Sequence, residues 1–403
     1  MKFLLMPENN SLSHITKCLS IMDALQLYGH EVQLAIGKRH SDFLRNLGIE
    51  HHILSDIQET DSGGFPTFKW FSNIDIIANC IKEEVALINK VKPDKVIGIF
   101  RSTLYASSQI AQVPYDSLIC GCMVPESHEA LGFSQNETGY ELQKKFLTNF
   151  FGFAGIKMSR AMAKFGLAKI DDIRMAFKGE HTFLWDFPEF MSLQTTSEMI
   201  HIGPISLNHW PYDSFNLEDI LDPKHPIAIV SFGTCVTDNT IVLRIVRLLL
   251  ESGYKVIVAA GGQKEMFNIE PSDSRVIVLK YAPLTAIFPH ASLLVTHGGQ
   301  MTVFEALQNQ VPVLVMPFQP EQAHNGVCLE RIGCGNRLIP STLFSGLSED
   351  YIKAFARITD DEIRTKINNL VGNSNIKKHL NQIKQALDHY RGVETLVKFL
   401  EVK

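Results

Sequence analysis

The residues with the clearest chemistry lie after an apolar strand that ends at Thr296. His297-Gly298-Gly299 follow this strand, and a helix that carries Glu305 comes next. The start of such a helix attracts anions, because its free backbone N–H groups and its dipole face the bound group. Glu305 lies about two helical turns from His297, which leaves room for a ribose. The pattern therefore predicts a site for a diphosphate that carries a nucleoside at one end and a sugar at the other.

A second strand end supports this interpretation. The apolar segment Val311–Met316 ends at Pro317, and the polar pair Glu321-Gln322 lies just beyond it. Two strand ends and one helix start therefore converge. In an open α/β sheet, ligands bind where the carboxyl ends of neighbouring strands meet.

Strands and helices alternate along both halves of the chain, which indicates parallel sheets with right-handed crossovers. The predicted strands are Lys2–Met6, Glu31–Ile36, Ile49–Leu54, Lys95–Ile99, Tyr115–Cys120, Ile227–Ser231, Lys255–Ala260, Val276–Leu279, Ser292–Thr296 and Val311–Met316. The predicted helices include His14–Tyr28, Ile74–Val91, Ser102–Ala111, Thr240–Ser252 and Glu394–Val402. We expect two α/β domains around one cleft.

The domain boundaries follow from composition. Residues 205–226 contain four prolines with Asn and Asp between them, which is typical of a linker. We therefore predict an N-terminal domain over 1–204 and a C-terminal domain over 227–385. A helix over about 386–403 is expected to pack back on the N-terminal domain. A chain of 403 residues is long enough for two such cores.

The segment 123–180 is rich in Phe, Met and Lys at mixed helical spacing. It predicts irregular helices that line a cleft, although two ordinary packing helices fit the pattern equally well. The basic run from Lys144 to Lys178 also allows peripheral contact with a membrane surface.

Composition excludes several function classes. A net charge of −5 argues against a general nucleic-acid binder. Cys120-Gly121-Cys122 is the one close cysteine pair and has no further ligands at zinc-site spacing, so no metal is expected. The loop after the first strand, residues 8–13, lacks a dinucleotide fingerprint, and the chain has no Walker loop, so no cofactor is expected either. The first strand is too short for a signal peptide and no apolar run reaches membrane-helix length, which predicts a cytoplasmic protein.

The stretch 281–325 resembles the donor-sugar signature of the UDP-glycosyltransferase superfamily, in particular bacterial members that glycosylate macrolides and other natural products. The resemblance covers essentially the whole chain; it is strong over 227–335 and patchy over 40–180. It implies the GT-B fold, in which two Rossmann-like domains face a cleft. It also implies an inverting, metal-independent hexosyltransferase that uses a nucleotide sugar, with a small-molecule acceptor on the N-terminal domain.

The resemblance assigns the nucleotide-sugar site residue by residue. His297, Gly298, Gly299 and Thr302 are similar to the diphosphate contacts, and Gly233 and Thr234 to the first phosphate loop. Tyr281 and Ala282 fall at the base, Glu305 at the ribose, and Glu321 and Gln322 at the donor sugar. Tyr281 and Leu284 replace the Trp and Gln that are common in the family, so UDP and dTDP both stay open.

His14 falls where the family has the histidine that deprotonates the acceptor hydroxyl. The family usually supports this base with an Asp near the position of Ile99. Asp116 and Glu126 are candidates for a substitute carboxylate, and the other possibility is a weaker base. Arg101 is expected to disfavour protonated His14.

Each of these residues also has an ordinary structural interpretation, such as helix start, core packing or loop surface. Two alternative functions accordingly stay open. One is a non-catalytic homologue or partner protein, which the missing Asp allows; the other is a nucleotide-sugar epimerase of the same fold. The sequence does not specify the acceptor, the sugar or the oligomeric state.

Overall fold

Two parallel sheets form the framework of the protein, whose structure here is a computed structural model. It describes residues 1–8, 11–55, 73–206, 216–221, 224–233, 239–261, 273–343 and 349–401. Thr234, a predicted site residue, lies outside them.

The N-terminal sheet has the strand order β3-β2-β1-β4-β5-β6-β7, and all its pairs are parallel. Its strands are β1 Lys2–Pro7, β2 Glu31–Gly37, β3 His52–Leu54, β4 Lys95–Ile99, β5 Tyr115–Ile119, β6 Thr182–Leu184 and β7 Met199–His201. The helices of this half are α1 Leu12–Leu27, α2 Ser41–Asn46, α3 Ile74–Val91, α4 Leu104–Ala111 and α5 Tyr140–Ala163.

The C-terminal sheet is also parallel and has the order β10-β9-β8-β11-β12-β13. Its strands are β8 Ile227–Ser231, β9 Lys255–Ala259, β10 Val276–Leu279, β11 Ala291–Thr296, β12 Val313–Val315 and β13 Gly335–Arg337. The remaining helices are α6 Leu217–Ile220, α7 Asn239–Glu251, α8 Leu284–Ile287, α9 Gln300–Gln308, α10 Pro320–Arg331, α11 Glu349–Arg357, α12 Asp360–Leu370, α13 Ser374–Leu387 and α14 Val393–Glu401.

Central strands are apolar on both faces because helices cover both sides of each sheet. In β1, Phe3 and Leu5 join one hydrophobic cluster, whereas Leu4 and Met6 join the cluster on the opposite face. The strand β8 divides in the same way between two clusters. These near-continuous apolar runs are the signal that makes the strands predictable from sequence.

Each sheet has one point at which the strand order reverses. In the N-terminal sheet it lies between β1 and β4, and in the C-terminal sheet between β8 and β11. The helices that follow these strands leave on opposite faces there, so a crevice opens at the carboxyl ends of the two strands. Both crevices receive predicted site residues: His14 follows β1, and Gly233 and His297 follow β8 and β11.

The predicted doubly wound α/β architecture is confirmed, with several local differences. The strand predicted over Ile49–Leu54 is shorter, since only His52–Leu54 pairs with β2. Segment 123–180 holds one regular 24-residue helix, α5, and a short 3₁₀ turn at Ile173–Phe177 in place of irregular helices. The short strands β6, β7 and β13 were not predicted.

The end of the chain lies against the N-terminal sheet. Phe399 of α14 packs edge-on to Phe183 of β6, with ring centroids 5.4 Å apart, and Glu401 lies 3.6 Å from the imidazole of His30. Of the helices in the described ranges, none combines the length and apolar character needed to cross a membrane.

Candidate active site

One cleft of about 1460 Å³ lies between the two sheets and collects the predicted site residues. It is lined by His14 from the N-terminal half and by Gly233, Tyr281, Ala282, His297, Gly299, Thr302, Glu305, Glu321 and Gln322 from the C-terminal half. Gly298 lies directly behind this wall, between β12 and α10. His14 and Gln322, which are far apart in the sequence, therefore line the same cleft.

His14 has a carboxylate partner in Glu8, which sequence analysis did not identify. Glu8 directly follows β1, and its backbone N–H donates to the carbonyl of Ile99 at 2.8 Å. The helix α1 begins at Leu12, and Nδ1 of His14 lies 3.1 Å from Oε2 of Glu8. Because a carboxylate only accepts hydrogen bonds, this contact assigns the ring proton to Nδ1. Nε2 keeps its lone pair, which is the arrangement that a general base needs.

Glu8 lies next to Ile99, the position near which the resemblance places an Asp. The strands β1 and β4 are neighbours, and Pro7 pairs with Ile99 in their register. Their carboxyl ends therefore lie side by side, so a carboxylate that leaves the end of β1 serves the same crevice as one at the end of β4. Ile99 is fully buried in the hydrophobic core instead.

Both substitute carboxylates considered from sequence have other partners. Asp116 accepts a hydrogen bond from Lys95 at 2.7 Å and contacts His181 at 2.9 Å, so both of its oxygens have partners within the N-terminal domain. Glu126 pairs with Lys178 at 2.5 Å. Neither of them is the carboxylate that contacts His14.

Arg101 is not the cation that acts on His14. Its side chain is buried and forms an ion pair with Glu84 at 2.7 Å. It also donates to the carbonyl of Pro7 at 3.0 Å, directly before Glu8. Thr103 and Ser107 donate to the same Glu84 carboxylate. Arg101 therefore holds the end of β1 in place from behind the site.

Aromatic rings fix the orientation of the His14 imidazole. Phe100 stacks on it with an interplanar angle of 15° and a centroid distance of 5.3 Å, and Trp185 lies 5.9 Å away. Phe100 has a backbone φ of +53°, which is unfavourable for a bulky residue. Such strain costs of order 1–3 kcal/mol and persists where surrounding structure enforces it, often at functional sites.

Burial is the main reason why the imidazole of His14 is neutral. Burial lowers the pKa of His14, and the Glu8 carboxylate offsets part of this effect. Lys17, one helical turn further along α1, lowers the pKa of His14 as well. Burial lowers the pKa of Lys17 itself to about 8, and its ammonium group lies 4.6 Å from the centre of the Trp185 ring. The free base is therefore the main form of His14 at neutral pH.

On the other wall, two glycines allow the loop after β11 to pack closely, Gly298 against α10 and Gly299 against the imidazole of His297. Gly298 has φ of +91°, and a Cβ there would lie 2.7 Å from the carbonyl oxygen of Gln322. A Cβ on Gly299 would lie 2.5 Å from Nε2 of His297. A side chain on Gly298 would push the loop away from β12 and α10, and a side chain on Gly299 would displace the ring. Gly299 is also the N-cap of α9, so the first N–H groups of that helix follow directly.

Burial favours the neutral form of the His297 imidazole. Burial lowers its pKa to about 4, and Nδ1 lies 3.4 Å from the carbonyl oxygen of Ser231. A carbonyl only accepts, so the contact places the proton on Nδ1 and leaves Nε2 without one. An anion that binds at Nε2 therefore favours uptake of a second proton by the ring.

We expect the affinity for a nucleotide sugar to rise as the pH falls from about 7 to about 5, because a diphosphate beside His297 raises the pKa of the imidazole. The pKa of the free form is about 4. Between that value and the higher pKa of the bound form, binding takes up a proton, and lower pH favours it. Calorimetric titration with an intact nucleotide sugar measures this, since its phosphates do not titrate in the range.

The matched variant is His297→Asn, which keeps a polar side chain but does not titrate. It should bind the nucleotide sugar more weakly and lose the pH dependence. An affinity for the wild type that stays constant from pH 7 to pH 5 would show that His297 does not contact the diphosphate.

Glu305 and Tyr281 lie further along the same wall. Oε1 of Glu305 accepts from the hydroxyl of Thr285 at 2.5 Å, and burial raises the pKa of Glu305. The second carboxylate oxygen of Glu305 can therefore accept a hydrogen bond from another donor, such as a ribose hydroxyl. Tyr281 is half-buried at the cleft, with Ala282 buried beside it.

Glu321 and Gln322, predicted as a pair, have different surroundings. Glu321 stands in the first turn of α10 and accepts from Asn325 at 2.8 Å. The same amide of Asn325 donates to the carbonyl of Gly298, which ties Glu321 to the glycine loop. Gln322 accepts from the backbone N–H of Phe318 at 2.9 Å, so its carboxamide oxygen supports the turn before α10.

Three cleft residues escaped sequence analysis: Glu8, Lys17 and Trp185. The indole of Trp185 donates to Gln300 of α9 at 2.7 Å and links the two domains across the cleft. Glu8 had a usable signal, because it is the first polar residue after the apolar strand β1. Lys17 and Trp185 had none, since a lone cation in a helix and a lone aromatic residue are usually surface and core.

Another interdomain cluster joins Glu129 to α10. Its carboxylate lies 3.2 Å from His324 and 2.8 Å from Arg331, and Cys328 is adjacent to His324 at 3.6 Å. The three groups Glu129, His324 and Cys328 lie close enough to ligate a metal ion. However, the guanidinium of Arg331 donates to both Glu129 and Cys328. A permanent cation therefore already occupies two of the groups that a metal ion would need as ligands. The cluster fits an ion pair between domains better than a metal site.

Comparison with known proteins identifies the family. The family model "UDP-glucoronosyl and UDP-glucosyl transferase" matches residues 159–388, which is more than half of the chain. The chain belongs to the UDP-glycosyltransferase family. A PGL/p-HBAD biosynthesis rhamnosyltransferase of Mycobacterium bovis is 22% identical over 355 residues, which cover 83% of this glycosyltransferase and 76% of that relative.

Solved structures show the same fold as this glycosyltransferase. The glycosyltransferase of kitacinnamycin superposes with a TM-score of 0.74 at 16% identity, covering 99% of this chain and 98% of that one. The spinosyn rhamnosyltransferase SpnG, complexed with thymidine diphosphate, gives a TM-score of 0.70 at 15% identity and covers 100% of both chains. The predicted GT-B fold is confirmed.

Proposed function

We propose that this glycosyltransferase moves a sugar from a UDP- or dTDP-sugar to a hydroxyl group of an apolar small molecule, with inversion at the anomeric carbon. The observation that carries the proposal is the His14–Glu8 pair, which faces His297 and the start of α9 across one cleft. A base on one wall and an anion site on the other are the two groups that this transfer requires.

On the N-terminal wall, Nε2 of His14 takes the proton of the acceptor hydroxyl while its oxygen bonds to the anomeric carbon. The imidazolium that forms is stabilised by the Glu8 carboxylate through Nδ1–H. The attack comes from the side opposite the diphosphate, so one displacement inverts the configuration. The transition state has oxocarbenium character, as in other glycosyl chemistry.

On the C-terminal wall, the bond from the anomeric carbon to the diphosphate oxygen breaks, and the nucleoside diphosphate leaves with the bonding electrons. His297, the backbone N–H groups after Gly299 and the dipole of α9 receive the negative charge. Preorganised donors of this kind supply stabilisation without a metal ion. Tyr281 contacts the base, Glu305 the ribose and Glu321 the sugar hydroxyls.

Two observations support the choice of substrates. The N-terminal wall of the cleft is largely apolar, with Phe100, Met123, Leu147, Phe151 and Phe177, which favours an aromatic or aliphatic acceptor. Thymidine diphosphate bound to the spinosyn rhamnosyltransferase supports dTDP-sugars beside UDP-sugars. The hydrogen bond from Trp185 to Gln300 joins the two walls of the cleft, and closure of the cleft around the substrates would limit the access of water, which competes as an acceptor.

A thermal-shift panel of UDP-, dTDP- and GDP-sugars tests the donor half of the proposal. A donor present at 100 times its Kd stabilises the folded protein by about 2.7 kcal/mol, which raises the melting temperature by several degrees. The stabilising donor is then incubated with a library of phenols and aliphatic alcohols, and mass spectrometry detects the product.

The outcomes separate the alternatives. Glycosylated product that forms with wild type and not with His14→Gln supports the transferase. If the protein binds a donor and converts it to a second nucleotide sugar without an acceptor, it is an epimerase and not a transferase. Absence of any thermal shift would contradict the proposal and favour a non-catalytic homologue.

A further inference from the structure

The outer face of helix α5 exposes a row of large apolar side chains. Leu142, Phe146, Phe153 and Ile156 are between 37% and 58% exposed. They are spaced four, seven and three residues apart, so they form one stripe along the 24-residue helix. We call these four residues the outer stripe. Single exposed apolar residues are common, but an aligned row on one helix indicates an interaction surface.

The helix does not need this stripe to fold. Its opposite face is already buried, with Leu147, Phe151 and Met158 in the hydrophobic core. Gly155 also packs so tightly that a Cβ there would lie 2.9 Å from the backbone of Asp171. This contact fixes the rotation of α5 about its own axis. The outer stripe therefore cannot turn inward and stays at the protein surface.

Basic residues flank the outer stripe. From Tyr140 to Lys164 the chain has five basic residues and one acidic residue, Glu141. Lys145, Lys157, Arg160 and Lys164 lie beside the stripe at helical spacing, and the fifth, Lys144, lies on the opposite side of the helix. The ammonium group of Lys157 lies 5.1 Å from the Phe153 ring centre, and Lys164 pairs with Asp75 at 2.6 Å. The whole chain carries a net charge of −5, so α5 has a local charge of opposite sign.

We propose that the outer stripe and its flanking cations dock the glycosyltransferase on an anionic lipid surface. An amphipathic helix with aromatic and aliphatic residues on one side and Lys or Arg beside them inserts at the boundary of headgroups and acyl chains. The cations then meet the lipid phosphates. Lys178, the end of the basic run seen in the sequence, is paired with Glu126 and does not belong to this surface.

A second copy of the chain fits this surface less well. In a two-fold symmetric dimer the same patch faces itself, so Lys145, Lys157 and Arg160 would oppose the same cations of the other copy. The apolar stripe is also narrow and convex, as on any single helix. A lipid surface supplies both an apolar layer and negative charge, which is the combination that α5 displays.

If the proposed function holds, docking by α5 has a consequence for the access of the acceptor. The inner face of the same helix lines the cleft with Leu147, Phe150 and Phe151. An apolar acceptor dissolved in a membrane would therefore reach the cleft beside the helix that contacts the lipid. Docking itself requires no catalytic activity, so it can be tested separately.

Vesicle flotation of the full chain at low salt tests the proposal, with vesicles of phosphatidylcholine alone and of phosphatidylcholine mixed with phosphatidylglycerol. We expect binding to the anionic vesicles only. The variant Phe153→Ser/Ile156→Ser should weaken it about tenfold or more through loss of inserted apolar surface. Lys145→Glu/Arg160→Glu should weaken it at least about 25-fold, since each lost surface charge contributes about fivefold.

The matched control is Lys377→Glu/Lys378→Glu on α13, which reverses two exposed charges on another part of the protein. It should bind vesicles like the wild type, and all variants should keep the wild-type melting temperature. Equal binding to neutral vesicles, no binding to either kind, or an equal loss in the control would overturn the proposal. A dimer in sedimentation that Phe153→Ser/Ile156→Ser dissociates would instead assign the outer stripe to a second copy.

Discussion

Replacing His14 by glutamine should lower kcat by about 10²–10⁴-fold, which is the usual contribution of a positioned general base. Glutamine keeps a side chain of similar length and still offers a hydrogen bond to Glu8, but it cannot accept a proton. Steady-state kinetics with saturating nucleotide sugar and the acceptor found in the screen measures the effect.

Donor binding provides the control for His14→Gln. His297, Glu305 and Glu321 lie on the opposite wall of the cleft. The Kd for the nucleotide sugar and the melting temperature should therefore stay close to wild-type values. A variant that keeps more than a tenth of the wild-type kcat would show that another group removes the proton.

Replacing Glu8 by glutamine should lower kcat by about 10²- to 10³-fold. This lies between the loss of one hydrogen bond to a charged group, about 1.5–3 kcal/mol, and the larger effect of removing the orienting acid of a catalytic triad. The carboxamide can still contact Nδ1 of His14, but it no longer stabilises the imidazolium. It can also present its own N–H, which would favour the wrong tautomer.

The pH profile distinguishes this role from a purely structural one. Burial holds the pKa of His14 below 6.5, so the acidic limb of kcat/KM should lie below that pH in the wild type. Glu8 raises the pKa of His14, and its removal lowers it further. In the Glu8→Gln variant, the acidic limb of the kcat/KM profile should therefore move to lower pH, and the maximal kcat/KM should fall. A fall in rate with an unmoved limb would contradict a direct contact in the working enzyme.

The fold and the nucleotide-sugar wall could be predicted because their signals are local. Apolar runs such as Ile227–Ser231 are buried on both faces and therefore stand out from the helices between them. His297, Gly298 and Gly299 are consecutive, so strand end, turn and helix start can be identified from one segment. Their assigned contacts with a nucleotide sugar stay predictions.

The partner of His14 could not be predicted because it depends on which strands are neighbours. A search for a carboxylate near Ile99 leads along the sequence to Asp116 and Glu126, which have other partners. The register of β1 against β4 brings Glu8 to the same place, although Glu8 and Ile99 are far apart in the chain. Sequence spacing alone does not contain that register.

The length of α5 could not be predicted from the sequence either. Its inner and outer faces are both apolar, so Phe and Met residues occur at mixed spacing and obscure the helical period. The short strands β6, β7 and β13 have three residues each, too few for any periodic pattern. Their positions are set by pairing with the longer strands beside them.

The proposed base and its acid lie within seven consecutive residues, from Glu8 directly after β1 to His14 in the first turn of α1. A gene crossover anywhere downstream of His14 therefore leaves the pair together. When the acid comes from β4 instead, both segments must be inherited from the same parent. Chimeras that exchange the cleft-lining region around α5 between this protein and its relatives can thus vary the acceptor wall while keeping the proton-transfer pair of one parent intact.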